Sequence, residues 1–297
     1  MKKIFYLFIS LIIFLGIDYV LSKTKIPVNE KHYLLGFKNF QSMAEDTKGQ
    51  KRIILVGGSS LAWGVSAEAL TGKLGIITLN SGIHAGVGFM HFMEIIKDVV
   101  DKENDILLFS PEYGLVSNDS FFSRSKEYCY ISLYVKNNYP LKCIGYSLNL
   151  LSRVFPVIDM EQNEYNNDGF NNFGDFVFRI AGKNMVGKMN NEDICSKINI
   201  SELTYSYIPY MNRLKNTGYR IIYIPNFIPK VTCQNLNIIR NFHNQLFNEF
   251  GIKGHKNQAL LFDEKYFYNS ANHLTKEGIR LKTKIFEKQL LTYLNNI

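Results

Sequence analysis

Arg52-Ile53-Ile54-Leu55-Val56-Gly57-Gly58-Ser59-Ser60 is the stretch that decides the fold. Four successive apolar residues, three of them β-branched, run into two glycines and two serines. That pattern reads as a buried strand ending in a tight turn. Working outward, Ser66 to Leu74 reads as a helix with Gly75 as its stop. Ile76 to Asn80 is a second strand, closed by the glycine-rich segment 81–88. Phe89, Phe92, Met93, Ile96, Val99 and Val100 then recur at helical spacing. Asp105 to Phe109 is a third strand. A β-α-β-α-β alternation within about 60 residues predicts a parallel sheet with helices on its faces.

The pattern resumes after Ile200. Glu202 to Asn216 predicts a helix with a possible kink at Pro209, and Gly218 closes it. Tyr219 to Ile224 reads as a strand, and Ile239, Phe242, Leu246 and Phe250 mark a helix ended by Gly251. Ala259 to Phe262 is a short strand. Thr275 to Leu294 is a terminal helix with Thr275 as N-cap. Residues 115–199 are rich in Asn, Tyr, Phe and Ser without a steady period. They read as an insertion over one edge of the sheet, a candidate substrate lid.

Met1-Lys2-Lys3 precedes an almost unbroken apolar stretch from Ile4 to Leu21. About 18 apolar residues behind a basic start fit an uncleaved membrane anchor, longer than the core of most secretory signals. A signal cleaved after Ser22 is the competing reading, against which stand Asp18 and Lys23. A core helix would need a polar face that this stretch lacks. Lys2 and Lys3 hold the N-terminus in the cytoplasm, so the bulk of the chain is expected outside it, periplasmic or extracellular. The division is therefore an anchor at 1–22, a connector at 23–50 and one α/β domain at 51–297. Cys129, Cys143, Cys195 and Cys233 form no CxxC pair, which speaks against zinc or thioredoxin-type chemistry. Two disulfides and four buried thiols both remain open.

The whole chain of 297 residues is 46% hydrophobic and 20% charged, which excludes a disordered chain, a collagen and a coiled-coil rod. Its 34 basic residues exceed the 26 acidic ones but form no run. Acidic glycans or anionic lipid headgroups suit that diffuse excess better than nucleic acid.

Open parallel sheets bind ligands beyond the carboxyl ends of their strands. Gly57-Gly58-Ser59-Ser60 and Asn80-Ser81-Gly82 leave two such ends. His273 lies after the last strand and just before the terminal helix. A serine on a glycine turn exposes its hydroxyl, backbone amides there can hold an oxyanion, and a loop histidine can take the serine proton. Each motif alone is commonplace. Their order along the chain points to a hydrolytic dyad.

The blocks also resemble a known family. Ile54-Leu55-Val56-Gly57-Gly58-Ser59-Ser60-Leu61-Ala62-Trp63-Gly64 is similar to the first signature of SGNH/GDSL hydrolases, with GGS for GDS. The set is most similar to membrane-anchored SGNH-like proteins of bacterial surface-polysaccharide clusters. It includes Asn80-Ser81-Gly82 with Gly86 and Gly88, Ser110-Pro111-Glu112-Tyr113, Gly169-Phe170-Asn171-Asn172-Phe173-Gly174-Asp175, and Phe267-Tyr268-Asn269 with His273-Leu274 and Gly278.

The resemblance implies a three-layer α/β/α, flavodoxin-like domain and a serine O-acyltransferase or esterase needing no cofactor or metal. Ser59 would be the nucleophile and His273 the base. The amides of Ser59 and Gly82 would hold the oxyanion, with Gly58, Ser60, His84 and Glu112 on the oxyanion or substrate side. Two departures stand out. Asn269 occupies the place of the aspartate that orients the histidine, for which Asp263, Glu264 or Asp175 are substitutes to test. Pro111-Glu112 replaces the oxyanion asparagine. The implied partners are an acylated cell-surface glycan, the membrane and a membrane acyl-donor protein. A degenerate glycan-binding or scaffold protein is the alternative. A secreted dinucleotide-binding domain is disfavoured, because no GxGxxG follows the first strand.

Overall fold

The computed structural model describes residues 6, 10, 16, 34–82, 89–113, 169–177, 195, 198–232, 235–253 and 260–297. Among them no helix is long and apolar enough to cross a membrane. The apolar stretch from Ile4 to Leu21 lies outside the described residues, apart from Tyr6, Ser10 and Gly16. So do most of 115–199 and the segment 83–88.

The chain forms an α/β fold around a four-stranded parallel sheet. β1 (Arg52–Val56) is flanked by β2 (Ile77–Asn80) and β3 (Asp105–Phe109), with β4 (Arg220–Tyr223) outside β3. β1 aligns Arg52 with Ile77 on one side and with Asp105 on the other. Period-two side chains then serve two cores. Ile54, Val56, Leu107 and Phe109 enter one layer, and Ile53, Leu55, Ile106 and Leu108 the other. A strand buried on both faces must be apolar except where a charge is paired, which is why IILV and ILLF read as continuous runs.

The first layer is closed by α1 (Leu34–Asp46), α4 (Phe89–Ile96), α6 (Ile208–Asn216) and α7 (Leu236–Phe250). The second is closed by α2 (Ser59–Ala62), α3 (Ala67–Leu74) and α8 (Lys276–Leu294). Full burial of each large aliphatic or aromatic side chain stabilises by roughly 1.5–3 kcal/mol. Helix ends follow their chemistry. Ser66 caps α3 by accepting from Ala69 N–H, and Gly75 stops it at φ 63°. Thr275 caps α8 by accepting from Gly278 N–H.

Four features went beyond the sequence reading. The stretch read as a connector carries α1, whose Phe37, Phe40 and Ala44 are buried in the core. A π-helical turn, Leu203–Tyr207, separates α5 (Ile200–Glu202) from α6. Pro209 has no N–H to return to the Tyr205 carbonyl, and it sits in the first turn of α6, where that donor is not needed. β5 (Phe227–Pro229) pairs in parallel with β6 (Leu260–Phe262) as a separate ladder. β7 (Phe267–Ser270) and β8 (His273–Leu274) form an irregular antiparallel hairpin just before α8.

Within the insertion, the stretch 169–177 lies along the outer edge of β2. Asn80 N–H donates to Phe173 O at 2.7 Å and Phe176 N–H to Ala62 O at 2.9 Å. At the opposite end of the sheet, buried Arg52 donates to both carboxylate oxygens of Asp105, at 2.8 and 2.7 Å. It donates also to Val99 O at 3.1 Å and to Ala44 O, tying α1, β1, β3 and the turn after α4 together. Cys195 is buried and disulfide-bonded, with its partner outside the described residues.

Candidate functional site

Ser59 opens α2, directly after the Gly57-Gly58 turn that leaves β1. The glycines are required by close approach. A Cβ on Gly57 would sit 2.6 Å from Ser110 O, and one on Gly58 would sit 2.6 Å from Glu112 Oε1. β1 and β3 therefore end side by side, and the residues that follow them touch. The hairpin reaches the same place from the far end of the chain. Leu274 N–H donates to Trp63 O at 3.2 Å and fixes β8 against the end of α2.

This packing brings Ser59, His273 and Asn269 into line. Ser59 Oγ lies 3.0 Å from His273 Nε2, and His273 Nδ1 lies 2.7 Å from Asn269 Oδ1. An amide oxygen only accepts, so Nδ1 carries a proton and the neutral ring presents Nε2 as a base toward Ser59. The chemistry such a line can do is removal of the serine proton as Oγ attacks an acyl carbon. Ser59 itself is mostly covered, at 7% exposure, while His273 and Asn269 are half-buried.

Glu112 lies beneath the turn. It is buried, accepts from Ser59 Oγ at 2.9 Å and also takes the Ser60 N–H. Burial raises its pKa, against the opposing pull of the Ser60 amide, the Ser59 hydroxyl and the Lys282 charge. Lys282, buried on α8, donates to Ser60 O at 3.0 Å and to Asn226 Oδ1. Burial lowers the Lys282 pKa to about 7, with the Glu112 charge opposing. Behind this pair lies a second polar group. Tyr113 OH donates to Asn226 O at 3.2 Å and lies 3.0 Å from His243 Nε2, while Tyr223 OH meets His243 Nδ1. Burial pushes His243 down to about 3.

The other residues singled out from sequence take varied places. Gly82 stands beside the turn, where a Cβ would be 2.6 Å from Ala62 N, but its amide donates to Asn80 Oδ1 at 3.0 Å. The Ser60 amide is likewise held by Glu112. Ser59 N–H, at the first position of α2, has no intrahelical acceptor. His84 lies outside the described residues. Asp175 does not back His273. It caps α3, accepting from Ala67 N–H at 2.8 Å and Glu68 N–H at 3.1 Å, and takes Asn80 Nδ2 at 2.9 Å. Asp263 caps a short 3₁₀ turn through Lys265 N–H at 3.1 Å.

Sequence reasoning missed Lys282, an apparently ordinary lysine on an amphipathic helix. It also missed the role of Asn80, which bridges Leu61 O, Asp175 and Gly82. Lys282 gave one faint signal, since its position four residues after Gly278 falls on the buried face of α8. Comparison of the chain with protein-family models, with characterised proteins and with solved structures finds no match among any of the three.

Proposed function

We propose that this chain is an exported, membrane-anchored SGNH-type enzyme. It transfers or hydrolyses acyl esters of a cell-surface polysaccharide through a Ser59 acyl-enzyme with His273 as base. The observation that carries the reading is the Ser59–His273–Asn269 line, 3.0 and 2.7 Å, built from chain segments more than two hundred residues apart. The strand order β2-β1-β3-β4 supports a three-layer, flavodoxin-like arrangement, in which ligands bind at the carboxyl ends of the strands. Ser59, Gly82 and Glu112 follow three such ends. The basic start, the apolar stretch behind it and the disulfide at Cys195 support export to an oxidising compartment. An acyl donor in the membrane and an acylated sugar as partner follow from that placement, with no cofactor required by the mechanism.

The test is covalent trapping. A fluorophosphonate should label the native chain at Ser59, and Ser59→Ala should abolish both labelling and glycan acylation or deacylation. A folded native chain that takes no label and an unchanged glycan in Ser59→Ala would defeat the enzyme reading.

A degenerate glycan-binding or scaffold protein is the second reading. It is favoured by two observations, the amide at position 269 and the engagement of the Ser60 and Gly82 amides by side chains. It predicts no labelling of the native chain and a gain of esterase activity in Asn269→Asp.

A further inference from the structure

The Ser59 hydroxyl has one proton and two acceptors within reach. Glu112 Oε1 is 2.9 Å from Ser59 Oγ and His273 Nε2 is 3.0 Å from it. Glu112 Oε1 also takes the Ser60 N–H, so one oxygen collects two donors, as an ionised carboxylate does. On the other side of the imidazole, Asn269 offers only a neutral dipole to Nδ1. Asp175 and Asp263 are committed to helix and turn caps, and Glu264 opens the 3₁₀ turn that Asp263 caps. We propose that Glu112 is the charge partner of His273, acting across the Ser59 oxygen from the side of the ring opposite Asn269.

The inference rests on the serine-nucleophile reading and deepens it. As Ser59 Oγ bonds to the acyl carbon, its O–H bond breaks and the proton passes to His273 Nε2. The carbonyl π pair moves to the acyl oxygen. The imidazolium so formed shares the Ser59 oxygen with Glu112, at most about 6 Å from the carboxylate. When the intermediate collapses, the Nε2 proton passes to the departing sugar oxygen and the ester C–O bond breaks. In the second half a water or sugar oxygen bonds to the acyl carbon as its proton passes to Nε2. The bond from Ser59 Oγ to the acyl carbon then breaks, and Nε2 returns the proton to Oγ. Glu112 gains and loses no proton and remains the fixed charge. Lys282, holding Ser60 O from α8, is the positioning residue, and its charge opposes the burial that raises the Glu112 pKa. Among the described residues, the ionisable groups round the carboxylate are His273 from the hairpin, Lys282 from α8 and, through Asn226, Tyr113 with His243 of α7.

The sign follows from charge. A carboxylate beside the ring favours imidazolium, so its removal lowers the proton affinity of His273. The experiment is NMR titration of His273 in the detergent-solubilised full chain carrying labelled histidine, with the signal identified by its loss in His273→Gln. Glu112→Gln should lower the proton affinity at least tenfold, and Asn269→Asp added to it should restore it. In the native chain the Glu112 carboxyl signal should step at the His273 midpoint. This second measurement decides the matter even where the amide variant does not fold. An unshifted midpoint in folded Glu112→Gln, or a Glu112 signal blind to the His273 titration, overturns the proposal. Fluorophosphonate labelling separates it from the enzyme reading. A titration shift in an unlabelled native chain leaves the charge pairing standing and removes the enzyme. Labelling of the native chain without the shift does the reverse.

Discussion

Trp63 lies flat against His273, with ring centroids 4.5 Å apart and planes 12° from parallel. The indole is itself buried, stacked on Phe176 at 3.8 Å and on Tyr268 at 5.7 Å. Its face fixes the plane of the imidazole, and its electron-rich surface favours the ring when positively charged. Trp63→Phe keeps a ring with less surface and should slow fluorophosphonate labelling about three- to tenfold, equivalent to a stacking energy of roughly 0.5–1.5 kcal/mol. Trp63→Ala should cost about 3–5 kcal/mol of stability through the cavity it leaves, measured by urea unfolding. A labelling rate unchanged in the Phe variant would show that the stack does nothing for His273.

His243 sets an acid limit on stability. Its pKa in the folded protein is held near 3 by burial, against 6.5 for the free side chain. Between those values the unfolded chain binds the proton and the folded chain does not, so stability falls as pH drops from 6.5 toward 3. By pH 4.5 the loss is on the order of 3 kcal/mol. His243→Gln can still bond Tyr113 and Tyr223 but does not titrate. Its denaturant midpoint should change less between pH 7 and 4.5 than that of the native chain, and equal slopes would count against the assignment.

Lys282 acts in the same direction, over a higher window of pH. Burial lowers it to about 7 from an ordinary value of 10.5. The unfolded chain binds the extra proton across that window, so this group makes stability rise from pH 7 toward 10.5. Lys282→Met removes that rise, which thermal unfolding at pH 7 and pH 9 can read as a smaller difference between the two.

The Arg52–Asp105 pair carries the opposite end of the sheet. Both side chains are fully buried and paired at two points. Asp105→Asn strands the guanidinium charge and should destabilise by about 3–5 kcal/mol. Replacing both partners by apolar residues of similar volume should recover most of that loss, because the uncompensated charge is then gone. Equal denaturation midpoints for the single and double variants would contradict this.

Gly174 joins the insertion to the sheet. Its φ is +83°, and a Cβ there would stand 2.1 Å from Asn80 O. Gly174→Ala should therefore lift the 169–177 segment off β2 and release the Asp175 cap of α3, at a cost of about 1–3 kcal/mol or more. Faster hydrogen exchange at Ala67 and Glu68 than in the native chain is the expected signature.

The strands β1, β3 and β4 were legible because burial on both faces demands nearly unbroken apolar runs, and such runs stand out in one dimension. β2, which contains Thr78 and Asn80, was marked off by Gly75 before it and the glycines after it. Helix ends were legible where a cap is local, as at Ser66, Gly75 and Thr275. β5 and the β7–β8 hairpin were not, since strands of two to four residues, interrupted by Pro229 or by polar residues, carry too little periodicity to separate from loop. α1 escaped for another reason. Phe37, Phe40 and Ala44 look like scattered apolar residues in a polar stretch until a sheet face is present to receive them.

Residue types and order along the chain were enough to raise Ser59 and His273 as a pair, and the resemblance of the last block to SGNH-like proteins marked Asn269 as the weak member. Local chemistry determines that much: a glycine turn exposes a hydroxyl, and an amide carries no charge. Which carboxylate approaches the pair was decided by tertiary structure alone. Asp175, Asp263 and Glu112 are equivalent as letters. The parallel pairing of β1 with β3 sets Glu112 under the Ser59 turn, while edge packing at β2 sends Asp175 to the end of α3. Lys282 became part of the site in the same way, because α8 packs over the turn and buries an amine that must then find Ser60 and Asn226. Contacts between segments far apart in sequence depend on how strands and helices are laid side by side, and no periodicity in a single chain records that.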